Sequence, residues 1–124
     1  MTGNPAPGFK RHPDHTITIT PHAGTVRVTA GGSVLAESSK ALELREASYP
    51  PVLYIPFADI RFDQLEVTDT STRCPFKGTA SYWRLAGNPG AGDVLWAYEA
   101  PYDEMEAIAG HGAFYGNKVS VETM

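Results

Sequence analysis

The sequence predicts a mainly β domain with one short helix, and three observations carry that prediction. Thr16-Ile17-Thr18-Ile19-Thr20 alternates polar and apolar residues at period two, the pattern of a half-buried strand. Residues 79–85 and 94–99 are dense in aromatic and β-branched side chains, which suit a pleated surface. Twelve glycines and ten prolines divide the 124-residue chain into short elements. There is no βαβ alternation and no internal repeat.

Taken in order, residues 1–14 are polar and rich in Pro and Gly without periodicity, which predicts a flexible arm. Met1 to about His12 is therefore expected to be dispensable for stability. A single domain follows over residues 15–124. After the alternating strand, a turn at His22-Ala23-Gly24 leads to Val26 and Val28, which alternate with Arg27. Ala30-Gly31-Gly32 reads as a tight hairpin turn, with residues 33–37 as the returning strand. Residues 38–46 fit two readings: good helix formers throughout, but Leu42, Leu44 and Glu46 on one face at period two. Pro50-Pro51 ends any helix there. Residues 52–57 form a β-rich run in which Pro56 marks an edge or bulge. Residues 60–67 give another strand or two short ones, and residues 71–78 read as a loop by composition. The flexible stretch 86–92 joins the two aromatic strands. Residues 103–109 carry the one helix, with Asp103 as N-cap, Met105 and Ile108 at helical spacing and Gly110 as the stop. Phe114-Tyr115, a Gly116-Asn117 turn and residues 119–121 close the chain as a hairpin or strand.

Composition limits the function classes. Fourteen acidic residues against ten basic ones leave a net charge of -4, the wrong sign for nucleic acid or an anionic membrane surface. No apolar run is long enough to span a bilayer, and residues 1–15 lack the core of a signal peptide, so a cytoplasmic location is expected. The single cysteine, Cys74, allows neither an intramolecular disulfide nor a multi-cysteine zinc site. His12, His15, His22 and His111 lack ligand spacing, so neither a metal nor a cofactor is expected, and the domain should fold without one.

The densest chemistry lies in Arg73-Cys74-Pro75-Phe76-Lys77-Gly78. A thiol on a proline turn with Lys77 three residues later is a candidate nucleophile or redox centre, if the turn brings the ammonium to the sulfur. No histidine lies nearby in sequence to act as its base. The bland alternative is a structural cysteine beside a solvated lysine. Aromatic positions form a second feature: Trp96 and Tyr98 share a face, Tyr82 shares one with Ala80, and Tyr54 one with Val52. Their polar tips suit a pocket wall as well as a core. Glu46, on an otherwise apolar face, requires a partner, and Arg27, Arg61 or Lys77 would supply it.

Several separated blocks resemble one family. Cys74-Pro75-Phe76-Lys77-Gly78-Thr79-Ala80-Ser81-Tyr82-Trp83 is similar to the domain of unknown function 427 family. So are Glu46, the run from Ser48 through Pro56, and Asp59. Trp96-Ala97-Tyr98-Glu99-Ala100-Pro101-Tyr102 and Phe114-Tyr115 agree as well. The resemblance covers roughly residues 15–122 and departs at Arg73, where many such relatives carry histidine. It implies a β-tent: two small antiparallel sheets meeting at an angle with a cavity between them, a group that includes methionine-R-sulfoxide reductases and the thalidomide-binding domain of cereblon. Many of that group hold zinc on four cysteines, a set this chain lacks. Some groupings attach a nucleotidyltransferase-like label, but the sequence offers neither paired metal-binding carboxylates nor a phosphate loop for it.

The reading is a small-molecule-binding domain whose ligand-contacting residues are Glu46, Tyr54, Cys74, Lys77, Tyr82, Trp96 and Tyr98. The alternatives are an enzyme that uses Cys74, with Lys77 beside it, and a structural or protein-interaction module.

Overall fold

A computed structural model describes residues 3–124; Met1 and Thr2, the first two residues of the expected arm, lie outside the described residues. The chain is mainly β, as its sequence predicts, and its strands form two antiparallel sheets. They are β1 (Ile17–Pro21), β2 (Val26–Ala30), β3 (Ser33–Ser38), β4 (Leu42–Glu46) and β5 (Val52–Pro56), followed by β6 (Leu65–Cys74), β7 (Gly78–Leu85), β8 (Asp93–Ala97), β9 (His111–Phe114) and β10 (Ser120–Thr123). The sheets are unequal: seven strands in the order β1-β4-β5-β9-β8-β7-β6, and three in the order β10-β2-β3. The β2–β3 hairpin turns on Gly31 and Gly32, both at positive φ (57° and 83°), which two glycines adopt without steric cost.

Period two sorts the large sheet into two faces. Leu35, Val26 and Val28 of the small sheet pack with Ile55, Leu95 and Phe114 in one cluster. Leu44, Tyr54, Ala80, Tyr82 and Ala113 form a second cluster on the opposite face, joined by Tyr98, Met105 and Ile108. The register explains the second set. Val52 lies opposite Leu44, Trp96 opposite both Tyr82 and Ala113, and directly opposed residues project to the same face.

Four local readings change. Residues 38–46 resolve as strand from Leu42 onward, because β4 is sandwiched between β1 and β5 and its Leu44 is buried. Residues 71–74, expected as loop, continue β6 to Cys74. This strand is an edge with most side chains in solvent on both faces, so it carries no apolar alternation to read. Of residues 60–67, expected as one strand or two short ones, only Leu65–Val67 are strand, at the start of β6; residues 57–64 hold two 3-10 turns, with Ile60 making only an isolated bridge to Ala36. The expected helix at 103–109 is a 3-10 segment, Asp103–Ile108, kinked at Met105. Met105 and Ile108 are buried as their spacing implies, but Asp103 caps nothing within its own segment. Its carboxylate accepts the Asn4 N–H at 2.7 Å, and Glu104 accepts that of Ala6 at 2.9 Å.

These two bonds belong to a segment where the sequence shows no element. Residues Pro7–Arg11 form a short helix, α1. Ala6 and Gly8 are buried, Phe9 meets Phe76 edge-on at 5.0 Å, and Gly8 N–H donates to the Pro75 carbonyl at 2.9 Å. A Cβ on Gly8 would sit 2.7 Å from the Phe76 ring. Gly8→Ala is thus expected to lower stability by about 1–2 kcal/mol through overpacking, although alanine is the better helix former. Thermal unfolding of the variant checks this; an unchanged or higher Tm would show that α1 does not brace the turn. The same packing sets an expectation opposite to the sequence's: removing residues 1–12 should cost stability.

No helix among the described residues is long and apolar enough to cross a membrane. Nor, among the described residues, do three or more His, Cys, Asp or Glu side chains gather as a metal would require.

Candidate functional site

Glu46 ends β4 on the face that carries Leu44, and β7 begins at Gly78, immediately after Lys77. The Pro75-Phe76-Lys77 turn carries the lysine back over that face, where Nζ donates to Glu46 Oε1 at 2.5 Å. Lys77 is only 8% exposed, so the solvated-lysine reading does not hold. The other Glu46 oxygen bonds His15 Nε2 at 2.8 Å, and the His15 ring stacks on Phe76 at 4.0 Å. Burial alone would push the Glu46 carboxyl up. The hydrogen bonds from Lys77 and His15, with their charges, outweigh it and hold the group below its ordinary value of 4.5.

Between the depressed native value and 4.5 the unfolded chain binds more protons, so Glu46 contributes stability above that window and loses it as pH falls. Glu46→Gln should therefore flatten the dependence of unfolding free energy on pH below about 4.5, measured by urea unfolding from about pH 6 downward. An acid limb as steep as that of the native chain would contradict the assignment.

Beside the ion pair lies a recess of about 250 Å³. Glu46, Tyr54, Lys77, Tyr82, Trp96 and Tyr98 line it together with Leu44, Val52 and Tyr115, and Tyr49 and Pro50 complete the lining. Six of the seven residues singled out in the sequence therefore meet in one place. Cys74 does not line it: the thiol is half-buried at the end of β6, with Sγ 3.9 Å from Lys77 Nζ. The recess also differs in place from the cavity that the resemblance implies between the sheets. No residue of β2, β3 or β10 lines it, because its residues project from the face turned away from the small sheet. A second recess of about 300 Å³ does join the sheets, lined by Val28 and Val121 with Leu53, Ile55 and Phe114. Val52, Trp96 and Tyr115 belong to both recesses and form the wall between them.

The polar tips inside the recess are ordered. Trp96 Nε1–H donates to the Tyr54 hydroxyl at 3.3 Å, with the two rings edge-to-face at 6.4 Å. The Tyr82 hydroxyl pairs with Thr72 Oγ1 at 2.7 Å, and Tyr115 packs on Trp96 at 4.5 Å. Burial pushes the Tyr54 hydroxyl up to about 12, against the bond from Trp96. Burial raises Tyr98 as well, reinforced by Tyr54, Cys74, Tyr82 and Glu46 around it. These phenols stay protonated, hence donors, at neutral pH.

Sequence reasoning missed His15 and Tyr115. His15 precedes β1, and only the β1–β4 pairing, Ile17 opposite Glu46, brings it to the carboxylate. That pairing spans the intervening β2–β3 hairpin and leaves no local signal. Tyr115 had one: it shares the period-two face of Ala113, the residue opposite Trp96.

A two-sheet β domain with an aromatic recess and a shielded ion pair at its end is thus the class that fold and site define. The family model described as Domain of unknown function (DUF427) matches residues 18–124, and the chain belongs to that family. None of the curated proteins compared with the chain matches it.

Proposed function

We propose that the protein binds a small molecule in the aromatic recess, with a flat apolar body against Trp96 and Tyr115 and a polar group toward Lys77. The observation that carries this reading is the convergence of Glu46, Tyr54, Lys77, Tyr82, Trp96 and Tyr98 on one concavity from separate strands and a turn. A domain that only needed a core would fill such a space with aliphatic side chains; here aromatic rings wall it and polar tips face it.

The experiment is a thermal-shift screen of planar aromatic fragments against the native chain, Trp96→Ala and Cys74→Ser. Fragments should raise the Tm of the native chain and of Cys74→Ser, and lose their effect on Trp96→Ala. Stabilisation that persists without the indole would overturn the site. One observation favours a second reading, an enzyme using Cys74: the Lys77 ammonium lies 3.9 Å from the thiol sulfur. Fragment binding kept in Cys74→Ser together with loss of a turnover measured in the native chain would move the conclusion there.

A further inference from the structure

The recess keeps protons that its own side chains do not use. Both Glu46 oxygens are already engaged, one by Lys77 and one by His15. The Tyr82 hydroxyl is engaged by Thr72. Donors remain. An ammonium has three N–H groups, of which Glu46 takes one and the distant thiol at most a weak second. The Tyr54 hydroxyl accepts from Trp96, which leaves its own proton to give. The Tyr98 hydroxyl lines the recess and has no protein partner among the described residues. No buried side-chain nitrogen or oxygen lacks a partner among the described residues, so the unpartnered Tyr98 hydroxyl meets open space rather than dry packing, and Lys77 and Tyr54 line the same recess.

Charge restricts the occupant further. Lys77 and Glu46 cancel within one contact, and neither carries surplus charge to neutralise an ionic ligand at the half-buried end of the recess. A ligand carboxylate would meet Glu46 at close range; a ligand ammonium would meet Lys77. On the binding role proposed above, we infer that the ligand is an uncharged planar molecule presenting carbonyl-type acceptors to Lys77, Tyr54 and Tyr98. Its ring lies against Trp96, and its acceptors take the protons that the protein leaves unused.

Three naphthalenes with one ring and three heads test this: 2-naphthamide, 2-naphthoate and 2-naphthylmethylammonium, titrated calorimetrically into the full-length chain at about pH 8. The amide should bind at least about tenfold more tightly than either ion, a discrimination that an unpaired ligand charge readily produces. Tyr98→Phe, which removes a hydroxyl with no protein partner, should leave the Tm unchanged and weaken the amide about three- to tenfold, the worth of one hydrogen bond. Equal or tighter binding of either ion overturns the uncharged head group while leaving the recess a binding site. Unchanged amide affinity in Tyr98→Phe overturns the placement of the acceptor. If none of the three binds, the inference fails; Trp96-dependent stabilisation by other planar fragments would then show that the binding role itself survives.

Discussion

Replacing Lys77 by Met is expected to lower the free energy of unfolding by about 2–3 kcal/mol at neutral pH. The substitution keeps the length and apolar volume of the side chain and removes its charge. Glu46 is then left half-shielded, its side chain 18% exposed, with only His15 on one oxygen. Breaking a fully buried pair costs about 3–5 kcal/mol; the residual solvent contact and the histidine reduce that figure here. For a domain of this length the loss corresponds to roughly 10 °C in Tm. The deficit has a pH signature. Without its partner Glu46 protonates more readily, so the difference between variant and native chain shrinks as pH falls below about 4.5. Glu46→Gln combined with Lys77→Met removes both charges and should recover much of the loss. Urea unfolding at several pH values reads all of this. A pH-independent deficit under about 0.5 kcal/mol would mean that Lys77 is solvated and the pair contributes little.

Trp96→Ala should cost about 3 kcal/mol and abolish ligand-induced stabilisation. The indole stands in the wall shared by the two recesses, so its removal merges them into one larger void rather than opening a pit that neighbours can close. The cost is the lost transfer energy of the ring plus a cavity contribution, at the low end for Trp because the residue is only partly buried. The hydrogen bond to Tyr54 and the contact with Tyr115 go with it. Trp96→Phe keeps most of the wall and should lose only about 1 kcal/mol. Together the two variants separate folding from binding. A Trp96→Ala chain as stable as the native one would show that the indole walls nothing.

How far the sequence could be read depended on where each residue's partners lie. Strands with one wet and one dry face were readable from alternation alone, as in Ile17–Pro21. The glycine pair at 31–32 announced its hairpin because two consecutive positive φ values are needed there. The later part of the edge strand Leu65–Cys74 hid itself: with both faces in solvent, its Thr-rich segment has the composition of a loop. The aromatic half of the site was readable because Trp96 and Tyr98 share a face by period two within one segment. The register then set Tyr82 opposite Trp96 without any further signal being needed. Glu46 was readable as an oddity, a carboxylate among leucines, and Lys77 as one of three partners for it. The choice among the three was not: it depends on the Cys74–Gly78 turn folding over the sheet, held by Phe9 and His15 against Phe76. That clamp is made entirely of contacts far apart in sequence, with its first half in a segment that has no periodicity. The long-range pairing of β1 with β4 likewise decides where His15 falls.

If small planar molecules enter the recess at Trp96, the chain contains its own internal control. Trp96 lines the site, whereas Trp83 packs away from it against Phe57 and Phe62. The two tryptophans give two indole N–H signals in a ¹H–¹⁵N spectrum of the full-length protein, assigned with Trp83→Phe. Titration with 2-naphthamide should move the Trp96 indole signal progressively to saturation, because its N–H bonds the Tyr54 hydroxyl inside the recess, and leave that of Trp83 in place. A titration that shifts Trp83 instead, or leaves both signals unmoved at millimolar ligand, would contradict entry at Trp96.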